Sequence, residues 1–356
     1  MCAKSIKRKA LIDFLLFKLM VEKKLGYNIR IKGEKVNHEL YKEYVEIAKR
    51  ADAAGLYYLS FPEFFARFDR NRIHVIPYMT AIAAQTEHVK FSNDVLVVPL
   101  FHPIHIADIG SSLDIMTNGR FILGVGLGSS RAEYENFGIS WAWKKRGRIL
   151  DESLDIIKKL WTEPAISEYK GKFYTIKNIC SPPPVQKPHP PIWVGGLSDA
   201  ALRRTAQYGN EWAASVFWVP PPAGPFPEEK WDIKERIEKL KKYCKEFGRE
   251  LVFGRAPRGP KEAGFNQRIN VNINPDKEKA LEEARHYWVD VRAGRVEGGV
   301  SLESKLRYAA IGNAEEVIEK LEEVYKTGAY LITIYPLTTD SKTQWDRLEK
   351  EVLPSL

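Results

Sequence analysis

The sequence predicts an α/β protein that folds as a single (β/α)8 TIM barrel over residues 1–356. Apolar runs of strand length alternate with amphipathic helical segments along the chain, and eight such runs are each followed by a helix. The runs are almost continuously apolar, which is typical of a parallel sheet covered on both faces. A doubly wound sheet is the structural alternative, but no linker separates two halves of the chain, which favours the barrel.

The elements follow one another in chain order. Strands are predicted at 10–17, 56–61, 90–98, 121–126, 192–195, 211–217, 266–273 and 329–335. The helices that follow them are predicted at 38–54, 76–87, 103–117, 144–161, 198–208, 228–247, 276–290 and 341–352, with one more at 313–327 before the last strand. The first run follows several basic residues, as in a signal peptide. However, Asp13 interrupts it, Lys18 closes it and no small-x-small cleavage site follows, so we expect a buried strand.

Local signals support two of these helices. Asn37 can cap the helix predicted at 38–54, and Gly55 can end it in the left-handed conformation that glycine adopts easily. Ser198 or Asp199 stands where the helix predicted at 198–208 begins, and Gly209 follows its last residue.

Three irregular stretches predict insertions in the loops after strands four, six and seven. They are a hairpin and proline-rich segment at 162–191, a proline-rich segment at 218–227 and a glycine-rich segment at 291–311. Loops after strands line the mouth of a barrel, so these stretches are either substrate lids or plain connectors.

Composition excludes several classes of protein. The net charge of +9 is spread over mixed Lys and Glu helices, without the basic stripe or motif of a nucleic-acid-binding protein. No apolar segment has the length of a membrane span. The three cysteines, Cys2, Cys180 and Cys244, form neither a disulfide framework nor a zinc spacing, so we expect a cytoplasmic protein.

Spaced glycines end the predicted fourth strand. Gly124, Gly126, Leu127 and Gly128 lie where a ligand could approach bare backbone, although a tight turn would need the same glycines. The pattern is not G-x-G-x-x-G, and no acidic residue follows at the distance that a dinucleotide fold requires.

The predicted fifth strand ends in Gly195 and Gly196 and runs directly into a helix at Ser198. The first amides of a helix have no helical partner and favour an anion, so this junction can bind a phosphate. Alternatively, Ser198 only caps its own helix. Arg148 could reach the same phosphate, or pair with Asp151 or Glu152 on its own helix.

Other chemistries find little support. His102 and His105 share a helix face, but no acidic residue joins them at a recognisable spacing, so no metal site is predicted. The chain has no G-x-S-x-G motif for a hydrolase triad. No catalytic acid or base is assigned from the sequence.

The order of the motifs resembles the luciferase-like monooxygenases and their deazaflavin-dependent relatives, closely over residues 40–215 and in outline elsewhere. Each motif is weak alone, whereas the ordered set is fairly specific. The motifs are Gly55–Glu63, Ala83–Thr86, Val98–Pro103, Asn118–Phe121, Gly124–Gly126, Phe137–Ile139, Arg148 with Asp151 and Glu152, and Pro191–Ser198.

The resemblance implies a flavin-type ring at the C-terminal mouth of the barrel, either FMN or the deazaflavin coenzyme F420. It implies a phosphate on Gly195, Gly196, Leu197 and Ser198 near Arg148, and a cis peptide at Asp94–Val95 behind the ring. Glu63 matches the family's acidic residue after strand two, and Gly126, Leu127 and Gly128 complete the predicted cofactor site.

Three departures from luciferases matter. Phe64 replaces the histidine that acts as a base in light emission, so light emission is not expected. Leu127 replaces an arginine, and Ala201 replaces a threonine of the phosphate helix, so the grip on the phosphate differs.

The function predicted from the resemblance is a flavin-dependent oxidoreductase. With FMN it would be a monooxygenase that inserts one oxygen atom into a small organic substrate and depends on a separate flavin reductase. With F420 it would instead transfer hydride. A third hypothesis is a flavin-binding protein without catalytic activity. The substrate side of the site would be lined by Trp218, Phe226, Tyr287 and Trp288, which would suit an apolar substrate, or these residues would only anchor loops. Family members are often homodimers, so a homodimer is a further expectation.

Overall fold

The barrel is formed by eight parallel strands, each hydrogen-bonded to the next, and the last pairs with the first. The computed structural model describes residues 22–30, 36–63, 73–214, 233–290, 306 and 309–356, without the side chains of 288–290. The strands are β1 Lys24–Asn28, β2 Tyr58–Phe61, β3 Lys90–Asn93, β4 Phe121–Gly126, β5 Ile192–Gly195, β6 Glu211–Ala214, β7 Glu262–Ile273 and β8 Leu331–Pro336. The predicted fold class is confirmed.

Helices surround this barrel and bury their apolar faces against it. They are α1 His38–Ala53, α2 Val75–Ala83, α3 Pro103–Met116, α4 Arg131–Asn136, α5 Arg146–Thr162, α6 Asp199–Tyr208, α7 Ile233–Glu246, α8 Lys277–Asp290, α9 Ala314–Tyr325 and α10 Ser341–Arg347. Asn37 caps α1 by accepting the Leu40 N–H at 2.9 Å, and Gly55 follows with φ +76°, as predicted. No helix in the described ranges is long and apolar enough to cross a bilayer.

The first strand of the barrel is not the one predicted at 10–17. Those residues lie outside the described part of the chain, and β1 occupies the position between β8 and β2 that closes the barrel. We missed β1 in the sequence because it contains Gly26 and Asn28 and is not a continuous apolar run. A Cβ at position 26 would lie 2.6 Å from Tyr58 Cδ1, so a larger residue does not fit there.

The structure describes only part of the three predicted insertions. After β4 the chain forms α4 and a 3-10 turn, Ser140–Lys145, before α5 begins. The predicted hairpin is present as the strands Ile166–Lys170 and Thr175–Ile179, but it follows α5 rather than β4. Glu152 on α5 holds its turn by accepting the backbone N–H groups of residues 172, 173 and 174. The predicted insertion at 218–227 lies outside the described residues, as does most of 291–311.

A buried carboxyl group lies at the closed, N-terminal end of the barrel. Glu211 on β6 accepts hydrogen bonds from the Tyr330 hydroxyl (2.6 Å) and from Asn266 Nδ2 (2.8 Å). Burial raises the pKa of Glu211 to about 7, although the hydrogen bonds from Asn266 and Tyr330 oppose the shift. The folded protein therefore keeps this proton to a higher pH than the unfolded chain does.

Glu211→Gln is expected to remove a pH dependence of stability. Because the folded pKa exceeds the unfolded value, the folded state binds more protons between about pH 4.5 and 7, and stability falls as pH rises through that window. Relative to wild type, the variant should gain roughly 3 kcal/mol across this window. Urea unfolding of both proteins from pH 4.5 to 8 measures this gain, and a constant difference between them would contradict it.

Candidate active site at the barrel mouth

Glycines at the ends of β4 and β5 make room for protein atoms from the end of β3 and from the residues after it. A Cβ at Gly124 would overlap the Asn93 carbonyl oxygen, and a Cβ at Gly126 would overlap a methyl group of Val95. At Gly195 a Cβ would lie 3.1 Å from the other Val95 methyl. The glycines therefore allow Asn93 and Val95 to lie tightly against β4 and β5. The sequence had suggested either an approaching ligand or a tight turn as the reason for these glycines.

The Asp94–Val95 peptide bond is cis, as the resemblance implied. The Val95 side chain lies between Gly126 and Gly195, and the short strand Leu96–Val97 then pairs with Val125 and Gly126. This side of the mouth, formed by the ends of β4, β5 and β6, presents glycine, valine and alanine. We call it the apolar half of the mouth.

The opposite side of the mouth is polar. Asp94 accepts hydrogen bonds from Ser60 Oγ (3.1 Å) on β2 and from the hydroxyl of Tyr335 on β8. Asn28 on β1 in turn donates to Ser60 Oγ at 2.7 Å. We call this network of hydrogen-bonded side chains the polar half of the mouth.

An ion pair crosses the mouth between its two sides. Arg268 Nη2 on β7 pairs with Asp94 Oδ1, which follows β3, and β3 and β7 lie opposite each other in the strand order. The Asp94 side chain is 5% exposed and that of Arg268 is 17% exposed. Within the described residues, Asp94 is the hydrogen-bonding partner of Arg268, and no other nitrogen of this guanidinium is both buried and unsatisfied. Its remaining N–H groups therefore reach accessible space.

The predicted acidic residue also lies at the mouth. Glu63, two residues after β2, is 8% exposed, and its Oε2 accepts the Val97 N–H at 2.8 Å. Glu63 thus ties the end of β2 to the chain beyond the cis peptide. Leu127 and Gly128 follow β4, where Tyr134 donates to the Leu127 carbonyl at 2.7 Å and Gly128 has φ +70°.

The start of α6 is open to solvent. Ser198 is exposed, and its side chain caps the helix by accepting the Ala201 N–H at 3.2 Å. The predicted capping role of Ser198 is therefore present. The amides of Asp199 and Ala200 have no partner within the helix because they belong to its first turn. Gly196 has φ +114°, and its carbonyl accepts the Trp212 Nε1–H at 2.7 Å, which fixes the glycine turn before the helix.

Arg148 lies in the first turn of α5, beside the start of α6. The two helices are joined by Arg204 of α6, which donates to Asp151 Oδ1 (2.5 Å) and to the Gly147 carbonyl (3.1 Å). The Asp151 carboxylate is thus paired with Arg204, and the Glu152 carboxylate accepts the backbone N–H groups of the hairpin turn. The alternative pairing of Arg148 with either residue is therefore wrong. Arg148 is exposed, and it makes no hydrogen bond or ion pair within the described residues.

A negative charge stands near the predicted phosphate position. Asp199, the first residue of α6, is half exposed and would repel an anion. Its carboxylate is paired with Arg236 (2.8 Å) and Lys239 (3.4 Å) of α7, which offsets this charge. Because these two cations neutralise the Asp199 charge, the start of α6 still favours an anion.

Residues 25–331 match the family model described as luciferase-like monooxygenase. The chain belongs to the luciferase-like monooxygenase family. The resemblance inferred from the order of the motifs is confirmed.

One curated relative matches half of the chain. The chain is 32% identical over 183 residues, 51% of its length, to the oxygenase component of flavin-dependent trigonelline monooxygenase from Acinetobacter baylyi. The match covers 50% of that relative, so the chain spans about half of its length.

Two solved structures share the fold of this chain. The oxygenating constituent of 3,6-diketocamphane monooxygenase from Pseudomonas putida, in complex with FMN, has a TM-score of 0.69 at 17% identity, over 95% of this chain and 99% of that chain. An F420-dependent secondary alcohol dehydrogenase has a TM-score of 0.72 at 17% identity, over 93% and 98%. At such identities the likeness shows the fold alone.

The family motifs separate onto the two ends of the barrel. Glu63, Asp94–Val95, Gly126–Gly128, Arg148 and Gly195–Ser198 lie at the C-terminal end. Arg120 lies at the other end, where it donates to Thr86 Oγ1 and to the carbonyls of Ala83, Thr86, Val89 and Thr117. These hydrogen bonds of Arg120 stabilise the N-terminal end of the barrel, which is the end expected to contribute to stability rather than to catalysis.

The remaining predicted residues have simpler roles. Tyr287 is buried, and its hydroxyl accepts a hydrogen bond from Arg30 at 3.1 Å. Trp218, Phe226, Phe64 and the Trp288 side chain lie outside the described part of the structure. His102 caps α3 and packs edge-on against Tyr174. In the described ranges, no three His, Cys, Asp or Glu side chains are grouped to hold a metal ion.

Sequence reasoning missed Arg268, Tyr335 and Ser60. The sequence does carry a signal for Arg268, because polar residues alternate along β7 as Asn266, Arg268, Asn270 and Asn272. A period of two places such residues on one face of a strand. In a barrel strand whose other face packs on helices, that face points into the interior.

Proposed function

We propose that the chain is an FMN-dependent monooxygenase that inserts one oxygen atom into a small organic substrate. A curated relative that matches half of the chain is the oxygenase component of a flavin-dependent monooxygenase, which supports this choice. The observation that carries the site is Arg148, which is unpaired within the described residues beside the exposed start of α6. A separate flavin reductase as partner, and a homodimer, are part of the same proposal.

The residues at the mouth fit a flavin-type cofactor. Two unused amides, the Ser198 hydroxyl and the Arg148 guanidinium are donors for a phosphate group. The apolar half of the mouth offers a surface of backbone and small side chains, with Val95 fixed between two glycines, against which a flat ring can pack. When bound, FMN supplies the oxygen chemistry, and the chain binds it, orients the substrate and excludes water.

Arg148→Ala and Ser198→Ala should each weaken FMN binding by roughly 1–3 kcal/mol if both side chains contact the phosphate. Fluorescence titration with FMN measures the change. Asn37→Ala is the matched control, because Asn37 caps α1 as Ser198 caps α6, on the opposite side of the barrel. Losing either cap lowers stability by about 1 kcal/mol, whereas only Ser198→Ala should also affect FMN.

Unchanged FMN affinity in both variants would remove the proposed phosphate site. An equal loss in Asn37→Ala would indicate a general effect of destabilisation. Binding that depends on Arg148 but not on Ser198 would leave the serine as a helix cap alone.

Parallel titration with FMN and with coenzyme F420 decides the reaction class. Selective FMN binding, followed by oxygen uptake with a reductase, would support the monooxygenase. Selective F420 binding would instead support hydride transfer, the reaction class of a dehydrogenase or reductase. FMN binding without turnover by any reductase and substrate would indicate a non-catalytic flavin-binding protein.

A further inference from the structure

The ion pair across the mouth is poorly explained as a purely structural contact. Arg268 extends from β7 to Asp94 on the far side of the barrel, where the Asp94 carboxylate also accepts hydrogen bonds from Ser60 and Tyr335. A buried carboxylate with three donors is well compensated. The guanidinium has unused donors, because it carries five N–H groups and has a single hydrogen-bonding partner within the described residues.

We infer that Arg268 binds an anionic oxygen of the substrate, so that the substrate is an organic carboxylate. The inference rests on the proposed function. A guanidinium held at one nitrogen keeps further N–H groups in a planar fork that matches a carboxylate. Asp94, Ser60 and Tyr335 are then positioning residues, which hold that fork at the level of the strand ends.

The two halves of the mouth have different tasks in this arrangement. The apolar half carries no donor side chain and suits a flat ring, whereas Arg268 belongs to β7 and reaches the polar half. A substrate anchored by its carboxylate on Arg268 would therefore face the ring. Because Asp94 neutralises part of the guanidinium charge, the expected preference for an anion over a neutral isostere is about tenfold rather than many orders of magnitude.

Calorimetric titration with three pairs of probes tests the inference. Formate, acetate and benzoate are each compared with formamide, acetamide and benzamide, so that size is varied independently of charge. The wild-type protein should bind at least one acid about tenfold more tightly than its amide. The titrations use protein without added cofactor, so their outcome does not depend on whether FMN binds.

Two variants and one control assign the preference to Arg268. Arg268→Gln should abolish it, and the double variant Asp94→Asn with Arg268→Gln should do the same without leaving a buried charge unpaired. Arg203→Gln removes an exposed charge paired with Glu246 on the outer helices and should leave the preference intact. Circular dichroism checks that each variant is folded.

The inference is overturned if no acid is preferred over its amide in wild type, or if the preference survives in both Arg268 variants. It is also overturned if Arg268→Gln weakens FMN binding while no acid is preferred, since Arg268 would then contact the cofactor. Failure of FMN and F420 to bind wild type, with the acid preference intact, would instead remove the proposed function.

Discussion

Gly124→Ala is expected to lower the free energy of unfolding by on the order of 3 kcal/mol, the upper end of the cost of overpacking a tight core. The added methyl group would overlap the Asn93 carbonyl oxygen and lie 2.9 Å from Ser92 Oγ. Asn93 cannot move freely, because its own side chain donates to the Gly124 carbonyl and its strand pairs with β2. Urea unfolding followed by circular dichroism measures the loss.

Gly259→Ala provides the matched control for this substitution. A Cβ at position 259 meets no atom within 4 Å, and the backbone there does not lie in the left-handed region. It should be neutral or slightly stabilising, because alanine restricts the unfolded chain more than glycine does. Equal stability of Gly124→Ala and Gly259→Ala would show that the chain after β3 does not pack against β4 as described.

The barrel was predictable because its strands and helices are marked locally. Alternation of apolar runs and helices gave seven of the eight strand positions, and caps such as Asn37 fixed helix starts. The first strand was missed because Gly26 and Asn28 face the interior, where close packing and hydrogen bonding replace apolar burial. Nothing within a single strand reveals such a contact with the neighbouring strand.

The candidate site was only half predictable for a similar reason. Glycines and a helix start carry a signal in consecutive residues, so the apolar half of the mouth and the phosphate position could be suggested from the sequence. The polar half depends on contacts between distant residues, and Arg268 and Asp94 are 174 positions apart. The same limit applies to Arg148, whose freedom follows from Arg204 binding Asp151 from another helix.

Breaking the ion pair across the mouth should cost more than breaking any exposed pair. Arg268→Gln is expected to lower stability by about 3–5 kcal/mol, because it leaves the Asp94 carboxylate buried with only hydroxyl donors. Asp94→Asn should cost less, since the Arg268 side chain is 17% exposed and can recover some hydration. The double variant has no uncompensated charge, so its loss should fall short of the sum of the single losses by on the order of 2 kcal/mol.

The pair Arg203–Glu246 serves as the reference for this cycle, since its side chains are 50% and 38% exposed. Its coupling energy should stay below about 1 kcal/mol and weaken in salt, whereas that of the buried pair should change little. Urea unfolding of wild type and of the three variants of each pair, at low and high salt, gives both coupling energies. Additive losses for Asp94 and Arg268 would mean that the two charges are hydrated independently. The guanidinium would then lack the fixed orientation that recognition of a carboxylate requires.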